Sequence, residues 1–184
     1  MAQRKVGVLV GSIRKGSYSR MLANAMCGLH SDLQCRVIEI RQLQLYDQDL
    51  DENPPQEWKA FRDAIRACDA ILFVTPEYNR SVPGVLKNAI DVGSRPYGKS
   101  AWAGKPAAVV STSMGALAGF GANHHLRQSL VFLDMPAMQQ PEAYCGNTPQ
   151  LFDAQGKLTA DDTRKFLQTF MDAFATWIEK TAAR

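Results

Sequence analysis

Residues 11–20 read Gly-Ser-Ile-Arg-Lys-Gly-Ser-Tyr-Ser-Arg and contain no acid. Ser12, Ser17 and Ser19 bring hydroxyls, and Arg14 brings a guanidinium. The stretch follows a short apolar run, Val6 to Val10. It precedes apolar residues at helical spacing, Met21, Leu22, Ala25, Met26 and Leu29. A loop that leads from a strand into a helix also offers free backbone amides and a partial positive charge. Together these groups suit one compact phosphate dianion, each charge-assisted hydrogen bond contributing about 1.5–3 kcal/mol. Capping the helix would use only one such side chain. Gly11 and Gly16 have the Gly-x4-Gly spacing of a Walker A loop, but Ser17 and Tyr18 stand where Lys and Ser or Thr belong. ATP hydrolysis is therefore disfavoured. The Gly-x-Gly-x-x-Gly dinucleotide fingerprint is missing too.

Two further loops carry chemistry. In Thr-Pro-Glu-Tyr-Asn-Arg-Ser-Val-Pro, beginning at Thr75, Pro76 ends a strand, Ser81 is placed to cap the next helix and Pro83 suits its first turn. Glu77, Tyr78 and Asn79 between them offer an acceptor, an aromatic face and an amide. A flat heterocycle needs such groups in its plane and over its face. In Ser-Thr-Ser-Met-Gly, the small residues Ser111, Ser113 and Gly115 let a ring come close to the backbone. A serine hydrolase would require a Gly-x-Ser-x-Gly elbow here, and it is absent. His124 and His125 are neighbours in a helical segment, so they diverge and suit neither a metal nor a general base. Cys27, Cys35, Cys68 and Cys145 include no Cys-x-x-Cys pair and read as free thiols. Cys35 and Arg41 have phosphatase spacing by chance, since the residues between them form a β-branched strand rather than a glycine-rich loop.

These loops must be positioned by strands. Apolar runs at 6–10, 35–40, 70–74, 107–111 and, more weakly, 136–140 read as five buried strands. Helical stripes separate them: Trp58, Phe61, Ala64 and Ile65 in one, and Phe166, Leu167, Phe170, Met171, Phe174, Trp177 and Ile178 in the longest. Trp177 reads as core at that spacing. The expected architecture is α/β: a doubly wound, five-stranded parallel sheet of flavodoxin type, order 2-1-3-4-5, with helices on both faces. Ligands then bind beyond the carboxyl ends of the strands, which is where the three loops lie. Residues 144–158 read as a surface connection containing a hairpin.

The chain of 184 residues suggests one domain over 1–184. It is 46 % hydrophobic and 21 % charged, the balance of an ordinary globular protein. No apolar run is long enough to span a bilayer, and the N-terminus reads as a first strand rather than a signal peptide, so a cytoplasmic protein is expected. The net charge of +3 is scattered and interleaved with acids, which disfavours nucleic acid as a partner. Tyr97 and Trp102, on a polar connection, read as exposed interface aromatics. The segment around Leu126, Leu130, Val131, Phe132 and Leu133 is apolar on more than one face. Both features suggest a homo-oligomer.

Together the loops resemble the NAD(P)H-dependent FMN reductase family, in particular its chromate and quinone reductase branch. The resemblance runs from the first strand to about Glu142, and the C-terminal third matches only in helical character. It implies a flavodoxin-like fold with FMN as cofactor and NADPH or NADH as co-substrate. It places the FMN phosphate on Ser12, Arg14, Ser17 and Ser19. Pro76, Glu77, Tyr78 and Asn79 would line the isoalloxazine, and Ser111, Ser113 and Gly115 would close its far side. Ser19 departs from the family's usual Asn, and Arg20 could compensate. The implied chemistry is ping-pong hydride transfer through flavin N5, with two-electron reduction of quinones; relatives also reduce chromate, azo and nitro compounds and free FMN. No catalytic acid or base and no metal is implied. Relatives are dimers or tetramers with shared flavin pockets, so a homodimer or homotetramer is expected. The competing reading is a non-catalytic flavodoxin-type electron carrier. Such carriers tend to be strongly acidic and to lack arginine in the phosphate loop, unlike this chain.

Overall fold

The computed structural model describes residues 3–182. β1 (Arg4–Val10) is followed by α1 (Tyr18–Met26), β2 (Leu33–Val37), α2 (Gln56–Arg66), β3 (Ala70–Pro76) and α3 (Gly84–Ser94). β4 (Ala107–Thr112), α4 (Phe120–Phe132), β5 (Ala143–Cys145) and α5 (Asp161–Ala182) complete the order. The five strands form one parallel sheet, β2-β1-β3-β4-β5.

The strand sequences explain this arrangement. Along β1, β3 and β4 nearly every residue is buried, so apolar side chains are needed on both faces. Val6, Val8, Val10, Leu72, Val74 and Val110 join one core with α1 and α5. Leu9, Ile71, Phe73 and Val109 join the other, beneath α2, α3 and α4. The register, Val6↔Ala70 to Val10↔Val74 and Ile71↔Ala107 to Pro76↔Thr112, brings β1, β3 and β4 to an end side by side. The helical stripe of α5 is buried through Leu167, Phe170, Met171, Phe174 and Ile178. Trp177 packs half-buried against the same core and donates its indole N–H to the Pro136 carbonyl at 2.8 Å. Arg4 donates twice to the Glu179 carboxylate, at 2.7 and 3.0 Å, and ties the start of β1 to α5.

Three expectations change. The fifth strand is Ala143–Cys145, paired with Val110–Thr112, and not residues 136–140. That segment meets β4 only at the bridge Ala107↔Ala137. The true strand is three residues long, too short to show a periodicity. β2 spans Leu33–Val37 rather than 35–40, although Ile38 still donates its N–H to the Val8 carbonyl at 3.0 Å. Trp102 is fully buried, not an interface aromatic, whereas Tyr97 is 84 % exposed. The indole lies against α3 and donates to the Ile90 carbonyl at 2.9 Å. The expected hairpin in 144–158 is present as an antiparallel bridge, Phe152↔Leu158.

Gly93 makes the burial of Trp102 possible. A Cβ at that position would sit 2.5 Å from three atoms of the indole ring. Gly93→Ala is therefore expected to destabilise the protein by about 1–3 kcal/mol through overpacking, although alanine is the better helix former. Urea denaturation followed by tryptophan fluorescence measures this; an unchanged midpoint would mean that the ring can move aside.

Candidate functional site

The carboxyl ends of β1, β3 and β4 open into a cleft of about 310 Å³, within the usual size range for small-molecule sites. Each of the three loops contributes to it. Gly11 donates its N–H to the Val74 carbonyl at 2.9 Å, which holds the first loop against β3 as it leaves the sheet. Ser17 then caps α1, its Oγ accepting from the Arg20 N–H at 3.2 Å. Ser12, Ser17 and Ser19 are all buried. The Ser12 Oγ accepts from the Arg14 N–H at 3.4 Å. The Arg14 guanidinium donates to the Gly16 carbonyl and lies 5.6 Å from the centre of the Tyr18 ring. Ser12, Arg14, Ser17 and Ser19 all line the cleft, so the four residues expected to bind one anion do converge.

Pro76, Glu77 and Tyr78 form a second wall, and Thr112, Ser113 and Met114 a third. The Tyr78 ring is 54 % exposed and Met114 68 %, so the mouth of the cleft has an apolar rim. Three expected residues lie outside it. Asn79 is exposed in a tight turn with φ 50. Ser111 is buried within the sheet and donates to the Ala118 carbonyl at 2.8 Å. Gly115 turns its carbonyl to the Ser113 hydroxyl, at 2.9 Å. Ser81 does not cap α3, which begins after Pro83 without a side-chain cap; its Oγ is 2.7 Å from His125 Nδ1 instead.

Sequence reasoning missed Tyr18, Thr112, Met114 and Thr148, which complete the lining. Thr112 ends β4 and was within reach of the strand pattern. Thr148 was not, because the short β5 that delivers it left no periodic signal. The Thr148 Oγ1 donates to the Ser113 carbonyl at 3.0 Å, while the Ser113 N–H donates to the Cys145 carbonyl at 3.1 Å. The Thr112 Oγ1 is buried beneath the cleft wall and lacks a hydrogen-bond partner among the described residues.

The histidine and carboxylate side chains in and around the cleft have partners elsewhere. Ser113 has no histidine partner: His124 Nε2 lies 2.9 Å from the Tyr144 hydroxyl, and His125 faces Ser81. Glu77, the carboxylate in the lining, is engaged by Arg80 at 2.9 Å and by the Ala122 N–H at 3.0 Å. Among the described residues, no three His, Cys, Asp or Glu side chains are grouped to hold a metal. No helix among them is long and apolar enough to cross a membrane.

The sequence profile of the NADPH-dependent FMN reductase family matches residues 4–150. The chain belongs to this family. Among its relatives, the quinone reductase of Pseudomonas putida is 62 % identical over 180 residues, covering 97 % of this chain and 96 % of the relative. The 2-hydroxy-1,4-benzoquinone reductase of a Burkholderia species is 47 % identical over 175 residues, covering 95 % and 96 %. Among solved structures, the flavoenzyme FerB, an NAD(P)H:(acceptor) oxidoreductase from Paracoccus denitrificans, superposes with a TM-score of 0.91 at 41 % identity, covering 97 % of this chain and 98 % of that one. In this FMN reductase family member the three loops thus sit at the carboxyl edge of a flavodoxin-like sheet.

Behind the Ser113 loop, burial pushes the Cys145 thiol up to about 12, from an ordinary value near 8.5. Above that ordinary value the unfolded chain has released this proton while the folded chain keeps it. Cys145 therefore adds stability below about pH 8.5 that is lost as pH rises towards 12, by about 1.4 kcal/mol per unit. Denaturation curves at pH 8 and pH 10 should show this loss, and Cys145→Ala should make it smaller, the half-buried Cys68 thiol, also pushed up, keeping a share of it. An equal slope in the variant would place the alkaline sensitivity elsewhere.

Proposed function

We propose that this chain is an FMN-dependent NAD(P)H:quinone oxidoreductase that works by a ping-pong sequence. The observation that carries the reading is the convergence of Arg14 and three buried serines at the N-terminus of α1, opening into a slot walled by Pro76, Tyr78 and Met114. A phosphate fits the first part and a flat ring the second. The size of the cleft supports the same ligand. The names of the relatives from Pseudomonas putida and Burkholderia support a quinone as acceptor.

When bound, FMN supplies the hydride-accepting ring, so that NAD(P)H plus a proton plus quinone gives NAD(P)+ plus hydroquinone in two half-reactions. The chain's own residues bind and orient. Ser12, Arg14, Ser17 and Ser19 hold the phosphate. Pro76, Glu77 and Tyr78 line the ring, with Asn79 at the tip of the turn, and the Ser111–Gly115 segment closes the far side. The apolar rim of Tyr78 and Met114 leaves room for planar molecules to enter in turn. Chromate, azo and nitro compounds and free FMN belong to the same proposal as further acceptors. The proposal also includes one flavin-binding domain over residues 1–184, a cytoplasmic location, and either NADH or NADPH as donor.

Initial rates at several quinone concentrations, with either nicotinamide, should give parallel double-reciprocal lines. Intersecting lines would indicate a ternary complex, and failure to turn over would leave only the electron carrier. In the same series Arg14→Ala should weaken FMN binding about ten- to a hundredfold, as one lost charged hydrogen bond would. Unchanged affinity would remove Arg14 from the site.

A homodimer or homotetramer forms part of the proposal. Tyr97 is 84 % exposed, Val131 80 % and Phe132 77 %. Tyr97 and Phe132 border one groove, and Phe132 continues into a second between α3 and α4. Such a patch of large apolar residues suits a subunit interface. Light scattering coupled to gel filtration should give a mass of two or four chains, and Phe132→Asp should lower it. A fully active species of 20.3 kDa would refute the oligomer.

A further inference from the structure

Glu77 lies in the wall of the cleft, yet its carboxylate is turned towards α4. One oxygen accepts from the Ala122 N–H at 3.0 Å, and the other pairs with the Arg80 guanidinium at 2.9 Å. The side chain is only 11 % exposed. α4 has no cap of its own. The residue before it is Gly119, which has no side chain to offer, and its first turn contains no acid. Glu77 supplies both, from a loop 45 residues away. It accepts an amide that the helix leaves free, and it places negative charge at the positive end of the helix.

Three neighbouring features fit this role. Tyr78 and Ser81 exchange backbone hydrogen bonds at 2.9 Å in both directions around Asn79 and Arg80, whose φ values are 50 and 63. This is a primed two-residue turn in which Arg80 occupies a conformation normally left to glycine. Across this turn the Glu77 carboxylate meets the Arg80 guanidinium. Ser81 adds a second link to α4 through His125. Gly121 leaves the space: a Cβ there would lie 3.0 Å from the Glu77 Oε2 and 3.2 Å from the Arg80 carbonyl.

We propose that Glu77 is a positioning residue whose carboxylate clasps the N-terminus of α4. The clasp holds the Tyr78 turn and the loop of residues 113–118 in a fixed relation on either side of the cleft. The inference deepens the proposed function and rests on it only for the ligand that the clasp serves.

Amide hydrogen exchange on the purified chain, with and without added FMN, tests the clasp directly. Glu77→Ala should raise exchange in peptides covering 119–123 by about tenfold, as the loss of one capping interaction would. Glu77→Gln keeps an oxygen for the Ala122 N–H and gives up only the pair with Arg80, whose side chain is 72 % exposed. It should stay within about threefold of the wild type, because an exposed pair contributes little. FMN affinity should follow the same order, falling about tenfold in the alanine variant and little in the glutamine variant. Gly121→Ala gives an independent arm. By propensity alone it should tighten the helix, whereas the clasp requires faster exchange and weaker FMN binding. Combined with Glu77→Ala it should cause no further loss.

Unchanged exchange in Glu77→Ala would overturn the clasp. Equal impairment of the glutamine and alanine variants would overturn the hydrogen-bonded clasp, because glutamine still offers an oxygen to the Ala122 N–H, and would leave charge at the helix end as the whole effect. If the wild type bound no FMN, the proposed function would fail, while the exchange measurements without FMN would still decide the clasp.

Discussion

A parallel strand with neighbours on both sides has all its backbone groups paired within the sheet, and each of its faces must be covered by a helix. β3 meets this condition, and β1 and β4 meet it where their two neighbours overlap, with one core under α1 and α5 and another under α2, α3 and α4. The pairing stops where the strands end, at Val10, Pro76 and Thr112. There the backbone is released from the sheet while it is still held at a fixed spacing by the register. Everything at the cleft follows from that edge. The loops cannot drift apart, because their origins are fixed side by side in a buried sheet.

What the loops do next depends on where their polar groups find partners. The first loop turns into α1 through the Ser17 cap, which leaves Ser12, Ser19 and Arg14 facing the cleft. The third loop is braced from beneath by β5, with Ser113 bonded to Cys145 and Thr148 bonded to Ser113. The second loop has no strand beneath it, and reaches across to α4 through Glu77 and Ser81. The cleft is therefore supported by two kinds of link: rungs of the sheet on the β4–β5 side, and side-chain bonds on the β3 side. The side-chain bonds are the ones that a single substitution can remove without unfolding the sheet.

Legibility in the sequence followed the same division. β1, β3 and β4 are unbroken apolar runs bounded by loops, and strands of that kind can be read from composition alone. The convergence of Ser12, Arg14, Ser17 and Ser19 was legible because one short stretch contains them all. β5 was not legible, since Ala143–Cys145 is too short for a period and follows the more apolar 136–138. Thr148 was lost with it. Asn79 is turned out by the Tyr78–Ser81 turn, whereas the direction of the Glu77 carboxylate and the exclusion of Ser111 from the lining depend on hydrogen bonds to α4 and to the loop before it. Those partners lie 7 to 45 residues away. Trp102 was misplaced for a related reason: a polar, glycine-containing connection gives no hint that Gly93 has left space for an indole.

The charges around the cleft are arranged unevenly. Arg14 and the N-terminus of α1 place positive charge at one end. The negative charge of Glu77 faces away, neutralised by Arg80 and by the N-terminus of α4. Nearby, burial and the Glu142 carboxylate push the Tyr144 hydroxyl up to about 12, so it stays protonated and adds no charge. The positive charge of the cleft thus lies at the end formed by the first loop, while Tyr78 and Met114 rim its mouth. That end suits an anionic group. On the proposed reading the first loop would hold the FMN phosphate, the walls would orient the ring, and the ring would supply the hydride chemistry. A carboxylate turned into the cleft would repel such an anionic ligand. Turning Glu77 towards α4 therefore serves two ends at once, holding the helix N-terminus and keeping the carboxylate out of the cleft.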